Sequence, residues 1–110
     1  MKQYVIDELR PLDYKKIKVY LDDNFGSSAL DGLYWIELDR YILTDIQASH
    51  TQCLPFYFAA NIESDRISFE LLVRTNNRVR CSCINYATEK QRNWIINFAD
   101  ALFDKLKIQY

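Results

Sequence analysis

The chain has 110 residues, of which 49% are hydrophobic and 15% aromatic, with only two glycines and two prolines. Its 14 Lys and Arg residues against 15 Asp and Glu residues give a formal net charge of −1 with the single histidine neutral. A chain of this length and composition can bury a substantial core, which excludes intrinsic disorder and leaves no room for a second core. We therefore expect residues 1–110 to form a single domain.

The charge is unevenly distributed along the chain. Residues 1–63 hold ten acids and six bases, whereas residues 64–110 hold five acids and eight bases. Dedicated nucleic-acid-binding domains usually have a strongly basic overall balance, which this chain lacks. Nucleic acid is therefore not the expected partner.

The cysteine count and the hydropathy pattern indicate a cytoplasmic protein. Residues 1–10 include Asp7 and Glu8 where a secretory signal needs an apolar run, and no stretch is apolar enough for a membrane span. The three cysteines are an odd number, which predicts free thiols in a reducing compartment. Cytoplasmic localisation without membrane association is the resulting expectation.

The first half of the chain predicts two strands and two helices. A weakly alternating segment, residues 3–9, reads as a strand, and Pro11 is suited to the first turn of a helix that ends near Phe25. Residues 33–38 read as a second strand. Asp39 can then cap a short helix to about residue 48, whose inward positions would be Ile42, Leu43 and Ile46.

Residues 55–86 predict a three-stranded antiparallel meander. A four-residue turn at 63–66 places Phe56 on the same apolar face as Val73, and Ile62 on that face with Ile67. A three-residue turn at 75–77 would then carry the chain into a third strand that holds Cys81 and Cys83 on the apolar face.

The last predicted element is a long amphipathic helix from Thr88 to about residue 107. Thr88 and Gln91 have the spacing of a capping box, and a continuous apolar stripe follows them. The chain is thus expected to be an α+β domain, a two-layer sandwich with an antiparallel-rich sheet of about five strands. The C-terminal helix packs on the meander, and the element order is β-α-β-α-β-β-β-α.

One imidazole and three thiols form the most specific candidate site, and these are the ligands of a structural zinc ion: His50, Cys53, Cys81 and Cys83. Geometry argues against zinc, because residues two apart on a strand are about 6.7 Å apart, whereas two zinc-bound sulfurs lie about 3.8 Å apart. The competing interpretation makes Cys81 and Cys83 small core residues. A third possibility is thiol chemistry, with a cysteine nucleophile and His50 as its base.

The outer face of the meander is the second candidate site. The predicted register puts tyrosine, arginine and aliphatic side chains there, which are typical of protein interfaces. The candidate interaction residues are Tyr57, Leu72, Arg74, Arg78, Arg80 and Tyr86. If a helix covered this face instead, its aliphatic residues would form a second core layer.

Two functions follow from these candidates. The favoured hypothesis is a non-enzymatic module that binds a protein or a ligand through the outer face, with a second copy of the chain, in a homodimer, as the first partner to consider. This hypothesis requires no cofactor. The alternative is a zinc-binding or thiol-dependent protein that uses the histidine and the three cysteines.

Overall fold

The computed structural model describes residues 2–26, 30–75 and 81–109, which form three helices and one six-stranded antiparallel sheet. The strands are β1 (Gln3–Ile6), β2 (Leu33–Glu37), β3 (Phe56–Glu63), β4 (Arg66–Glu70), β5 (Leu72–Thr75) and β6 (Asn85–Tyr86). The helices are α1 (Pro11–Phe25), α2 (Asp45–Ser49) and α3 (Glu89–Lys105). The predicted α+β class is confirmed, and the element order holds with one additional strand.

Strand β3 is the centre of the sheet. It pairs with β2 along one edge and with β4 and then β5 along the other. Strand β1 pairs with β4, and the two-residue β6 pairs with β5. The sheet is therefore widest around β3 and β4, and its narrow end lies at β5 and β6.

The predicted pairing of β3 with β4 is confirmed, and the pairing of β3 with β5 is shifted. Ile62 lies opposite Ile67 as expected, but Phe56 lies opposite Thr75 and not opposite Val73. The chain interrupts its strand at Leu71, between β4 and β5. This interruption accommodates two extra residues, so the inward side chains stay on the apolar face beyond it.

The core lies between the sheet and the helices. Inward side chains of the strands are almost fully buried, as are Ile17 and Leu21 of α1 and Ile95 and Phe103 of α3. Phe98 of α3 contacts the rings of both Phe58 and Phe69, at centroid distances of 5.8 and 6.4 Å. Helices α1 and α3 therefore cover the same face, which we call the inner face of the sheet.

Helix α1 has both predicted ends, and α3 has the predicted start but ends at Lys105, two residues before the predicted position. Pro11 is the first residue of α1, and Gly26, which follows it, has φ of +67°, a conformation that favours glycine. Thr88 and Gln91 form the predicted capping box of α3. In the described part of the chain, no helix is long and apolar enough to cross a membrane.

The predicted helix from Asp39 to about residue 48 is wrong in its start and in one inward position, Ile46, whereas Ile42 and Leu43 pack against the core as predicted. Asp39 caps a single 3-10 turn, Arg40–Ile42, and α2 begins separately after its own cap, Thr44. Ile46, expected to face the core, is 51% exposed, and Gln47 is the buried residue of α2. Thr44 and Gln47 form a second capping box, which a purely apolar helix pattern overlooks.

The predicted third strand of the meander is also wrong in its register. Cys81 and Cys83 lie in a turn, closed by a hydrogen bond from the Ile84 N–H to the Cys81 carbonyl. The strand that pairs with β5 is β6, where Tyr86 lies opposite Leu72. Of the predicted turn at 75–77, only Thr75 belongs to the described residues, and residues 76–80 lie outside them.

Candidate metal centre

The first half of the candidate centre is a single turn after α2. His50 ends α2 and also begins the 3-10 turn Thr51–Cys53, in which the Cys53 N–H donates to the His50 carbonyl at 2.9 Å. Turns of this kind bring residues three apart to the same side of the chain. The imidazole and the Cys53 thiol can therefore serve one site.

The second half is the turn that contains Cys81 and Cys83. In a strand these two thiols would be too far apart to share one ion, but the turn folds the backbone back on itself. The strand spacing that argued against a shared zinc ion is therefore absent at Cys81 and Cys83.

The four side chains converge on one point. Their ligand atoms, one imidazole nitrogen and three sulfurs, all lie within 4.8 Å of one another: His50, Cys53, Cys81 and Cys83. The His50 Nδ1 lies 3.2 Å from the Cys81 Sγ, and the Cys53 Sγ lies 3.9 Å from the same sulfur. A tetrahedral zinc ion places two sulfurs about 3.8 Å apart and a sulfur and a nitrogen about 3.5 Å apart. The donors thus fit zinc with shifts of no more than about 1 Å.

Burial differs between the four donors. Cys53 and Cys83 are almost completely buried, with 1% and 2% of their surface exposed, whereas His50 and Cys81 are half-buried. The centre is therefore accessible from the side of His50 and Cys81. It is closed on the side that meets the core.

Two of the thiols, Cys81 and Cys83, differ in pKa because their surroundings differ. A hydrogen bond from the Cys83 backbone N–H, with smaller contributions from the Cys83 thiol, His50 and Cys53, lowers the pKa of Cys81 to about 6. Burial, reinforced by the two neighbouring cysteines, raises the pKa of Cys83 to about 12. The surroundings therefore favour the thiolate form at Cys81 over the thiolate form at Cys83.

Two buried side chains hold the backbone of this centre. The Gln47 Nε2 donates to the Cys83 carbonyl at 3.1 Å, and the Thr75 Oγ1 donates to the Cys53 carbonyl at 2.5 Å. Gln47 and Thr75 are 2% and 5% exposed. Sequence reasoning overlooked both residues; the spacing of Thr44 and Gln47, which matches that of Thr88 and Gln91, was the available signal for Gln47.

The predicted interaction residues fall into two groups. Tyr57, Leu72, Arg74 and Tyr86 share the face of the sheet opposite α1 and α3, which we call the outer face. Arg78 and Arg80 lie outside the described residues.

Two of these four outer-face residues, Arg74 and Tyr86, are engaged with neighbouring side chains. Arg74 forms an ion pair with Glu70 at 2.6 Å and lies over the ring of Trp35, and the Lys2 ammonium lies over the ring of Tyr86. Tyr57, Leu72 and Arg74 are half-buried, and Tyr86 is 40% exposed. The outer face is thus a mixed surface of aromatic, aliphatic and charged side chains.

Comparisons with protein families, with curated proteins and with solved structures find no match for this chain. The geometry and chemistry of its own residues are therefore the basis for a functional proposal.

Proposed function

We propose that this chain is a small zinc-binding domain in which the ion is structural. The observation that supports this proposal is the convergence of one imidazole and three thiols within 4.8 Å. Three thiolates and one imidazole favour zinc over hard cations such as Mg²⁺ and Ca²⁺, which prefer oxygen ligands. Four protein ligands complete a tetrahedral shell, whereas a catalytic zinc ion keeps a position open for water or substrate. The domain is accordingly not proposed to be an enzyme.

The surroundings of Cys81 favour a metal site over thiol catalysis. A cysteine 3.2 Å from a histidine nitrogen also resembles a nucleophile with its base. The Cys53 sulfur, however, lies 3.9 Å from the Cys81 sulfur, which is close to the separation of two sulfurs bound to one zinc ion. Two further cysteines within the cluster have no role in such a pair but complete a zinc shell. A reducing compartment keeps these thiols available, so we place the domain in the cytoplasm.

Metal content tests this proposal directly. Protein purified without chelator should carry one zinc ion per chain in a native mass spectrum, and Cys81→Ser should lose most of it because one of four ligands is removed. Ser82→Ala changes the exposed neighbour of that ligand and should retain the zinc ion. Retention of zinc by Cys81→Ser, or its absence from the unsubstituted chain, would contradict the proposal.

Thiol labelling separates the zinc site from the thiol pair. If zinc is bound, all three cysteines should react slowly with a thiol reagent until a chelator is added. If Cys81 is a free nucleophile, it should react rapidly in the folded protein, and the chelator should change nothing.

We propose a second function, protein binding through the outer face. It is supported by the position of α1 and α3 on the inner face and by the partial exposure of Leu72 and Tyr86, which lie opposite each other on β5 and β6. Aromatic and arginine side chains are frequent in the energetically important parts of interfaces. A second copy of this chain is the partner we propose to test first, because homodimers are the commonest assemblies.

Substitution of the outer face should abolish self-association without unfolding the chain. Leu72→Asp together with Tyr86→Asp would place two carboxylates in the interface, so a dimer should become a monomer in sedimentation at matched concentration. Leu12→Asp, which alters an exposed residue of α1, is the control and should leave the dimer intact. A dimer that survives the double substitution would exclude this surface.

A further inference from the structure

Two buried polar side chains outside the ligand set end on the backbone of the metal centre. Gln47 and Thr75 donate to the carbonyls of Cys83 and Cys53, the two most buried of the four ligand residues. A side-chain donor at such a carbonyl restricts the rotation of the peptide next to the ligand. It therefore fixes the direction in which the cysteine projects.

Gln47 is itself held on every side. Its Oε1 accepts from the Thr44 backbone N–H at 3.1 Å and from the Gln91 Nε2 at 2.8 Å, which leaves its Nε2 to face the Cys83 carbonyl. Gln91 also donates to the Ile42 carbonyl at 2.9 Å and is fully buried. Two capping boxes are thus joined through their glutamines, and this buried chain of hydrogen bonds ends at a metal ligand.

A buried pair of amide side chains is less favourable than an apolar pair of the same size unless all of its hydrogen bonds are made. Burying an amide is favourable only when its hydrogen bonds are made, and Gln47 and Gln91 make theirs with each other and with backbone groups. An apolar pair would fill the same space but would leave the Cys83 carbonyl without this donor. Compared with an apolar pair, the network therefore adds one hydrogen bond, which orients the turn that contains Cys83.

We infer that Gln47 and Thr75 are positioning residues of the zinc site, which preset the directions of Cys83 and Cys53 for one tetrahedral ion. This inference rests on the proposed function. Removal of a residue that orients a metal ligand typically lowers the metal affinity by about 10- to 100-fold. Loss of such a residue differs from a general loss of stability, because it changes the coordination geometry around the bound ion.

The experiment measures zinc affinity by competition with a chromophoric chelator, together with the absorption spectrum of the Co²⁺-substituted full chain. Thr75→Val keeps the shape and branching of the side chain but removes the hydroxyl, whereas Thr75→Ser restores it. Gln47→Met removes the donor to Cys83. Its control, Gln3→Met, makes the same change at an exposed position of β1, outside this network.

The inference predicts that Thr75→Val and Gln47→Met weaken zinc binding by about 10- to 100-fold and alter the cobalt ligand-field bands. Thr75→Ser and Gln3→Met should stay close to the unsubstituted chain in both measurements. If Gln47→Met does not fold, the Thr75 pair decides the result.

Two results would overturn the inference, and they are distinguishable. If Thr75→Val and Gln47→Met lose stability but keep the zinc affinity and the cobalt spectrum, these residues support the fold alone, and the zinc site itself stands. If the unsubstituted chain binds neither zinc nor cobalt tightly, the proposed function fails as well.

Discussion

At the scale of single residues, the candidate centre depends on the local conformation of two short turns. The four candidate ligands were evident in the sequence, because one histidine and three cysteines are the donors of a known class of zinc site. Their convergence was not predictable, since the alternation around Cys81 and Cys83 is equally typical of a strand. The thiols meet only because the turn at 81–84 replaces that strand.

Asp13 is a second residue whose role the sequence patterns did not indicate. It lies in the first turn of α1, is 3% exposed, and accepts two hydrogen bonds from the Arg10 guanidinium at 2.9 and 3.2 Å. The bond from Arg10 holds the pKa of the Asp13 carboxyl below its usual value. A carboxylate at this end of a helix also interacts favourably with the helix dipole.

We therefore expect Asp13→Asn to be destabilising at neutral pH and nearly neutral in acid. Because the pKa of Asp13 is lower in the folded chain than in the unfolded chain, its stabilisation is complete above the unfolded pKa. The stabilisation is lost as the pH falls through the lower, folded pKa. The loss at neutral pH should be about 0.5 to 1 kcal/mol, a value typical of helix-end charges.

Urea unfolding of both chains from pH 7 to pH 3 checks this expectation. Asp23→Asn, an exposed change near the other end of α1, is the control and should cost nothing, because a negative charge there is unfavourable to the dipole. A difference between Asp13→Asn and the unsubstituted chain that stays constant with pH would contradict the account.

At the scale of elements, the long helices and the β3–β4 hairpin were predictable, and the short elements were not. Helix α3 has both a capping box and an apolar stripe, so two independent signals agree on its position. Helix α2 has only five residues and buries a glutamine, which leaves no apolar periodicity to detect. Strand β6 has two residues, too few for alternation to reveal.

The capping box of α3 makes a measurable contribution to stability. Thr88 accepts a hydrogen bond from the Gln91 N–H at 3.2 Å, and the Gln91 side chain accepts from the Thr88 N–H at 3.1 Å. Thr88→Ala removes the first of these bonds and should lower the free energy of unfolding by about 1 kcal/mol. Thr88→Ser keeps the hydroxyl and should change stability far less.

Chemical denaturation of the three chains under identical conditions makes the comparison. The midpoint should fall for Thr88→Ala, with an unchanged slope, because the surface exposed on unfolding is the same. Equal midpoints for the alanine and serine chains would mean that the hydroxyl does not cap the helix.

At the scale of the whole molecule, the proposed zinc site would stabilise the end of the fold that the helices and the sheet stabilise least. The inner face of the wide end of the sheet is covered by α1 and α3, whereas the narrow end depends on the short strands β5 and β6. The proposed zinc ion would join residues 50–53 to residues 81–83, across the whole β3–β5 segment. It would therefore secure the end of the fold with the fewest strand hydrogen bonds.

The energy available from such an ion is large compared with the stability of a domain. Structural zinc sites bind with about 10 to 16 kcal/mol near neutral pH, and domains of this size are stable by about 5 to 15 kcal/mol. A bound ion could thus decide whether the narrow end of the sheet is ordered. The sequence could not reveal this link, because the residues that meet there come from the turn after α2, from β5 and from the turn before β6.

X-ray absorption at the zinc edge of the purified protein measures directly which atoms surround a bound ion. The proposed site predicts one zinc ion per chain with three sulfur atoms at about 2.3 Å and one nitrogen atom at about 2.0 Å. A shell dominated by oxygen and nitrogen, or a preparation without stoichiometric zinc, would contradict it. In that case, the convergence of His50, Cys53, Cys81 and Cys83 would require an explanation other than zinc.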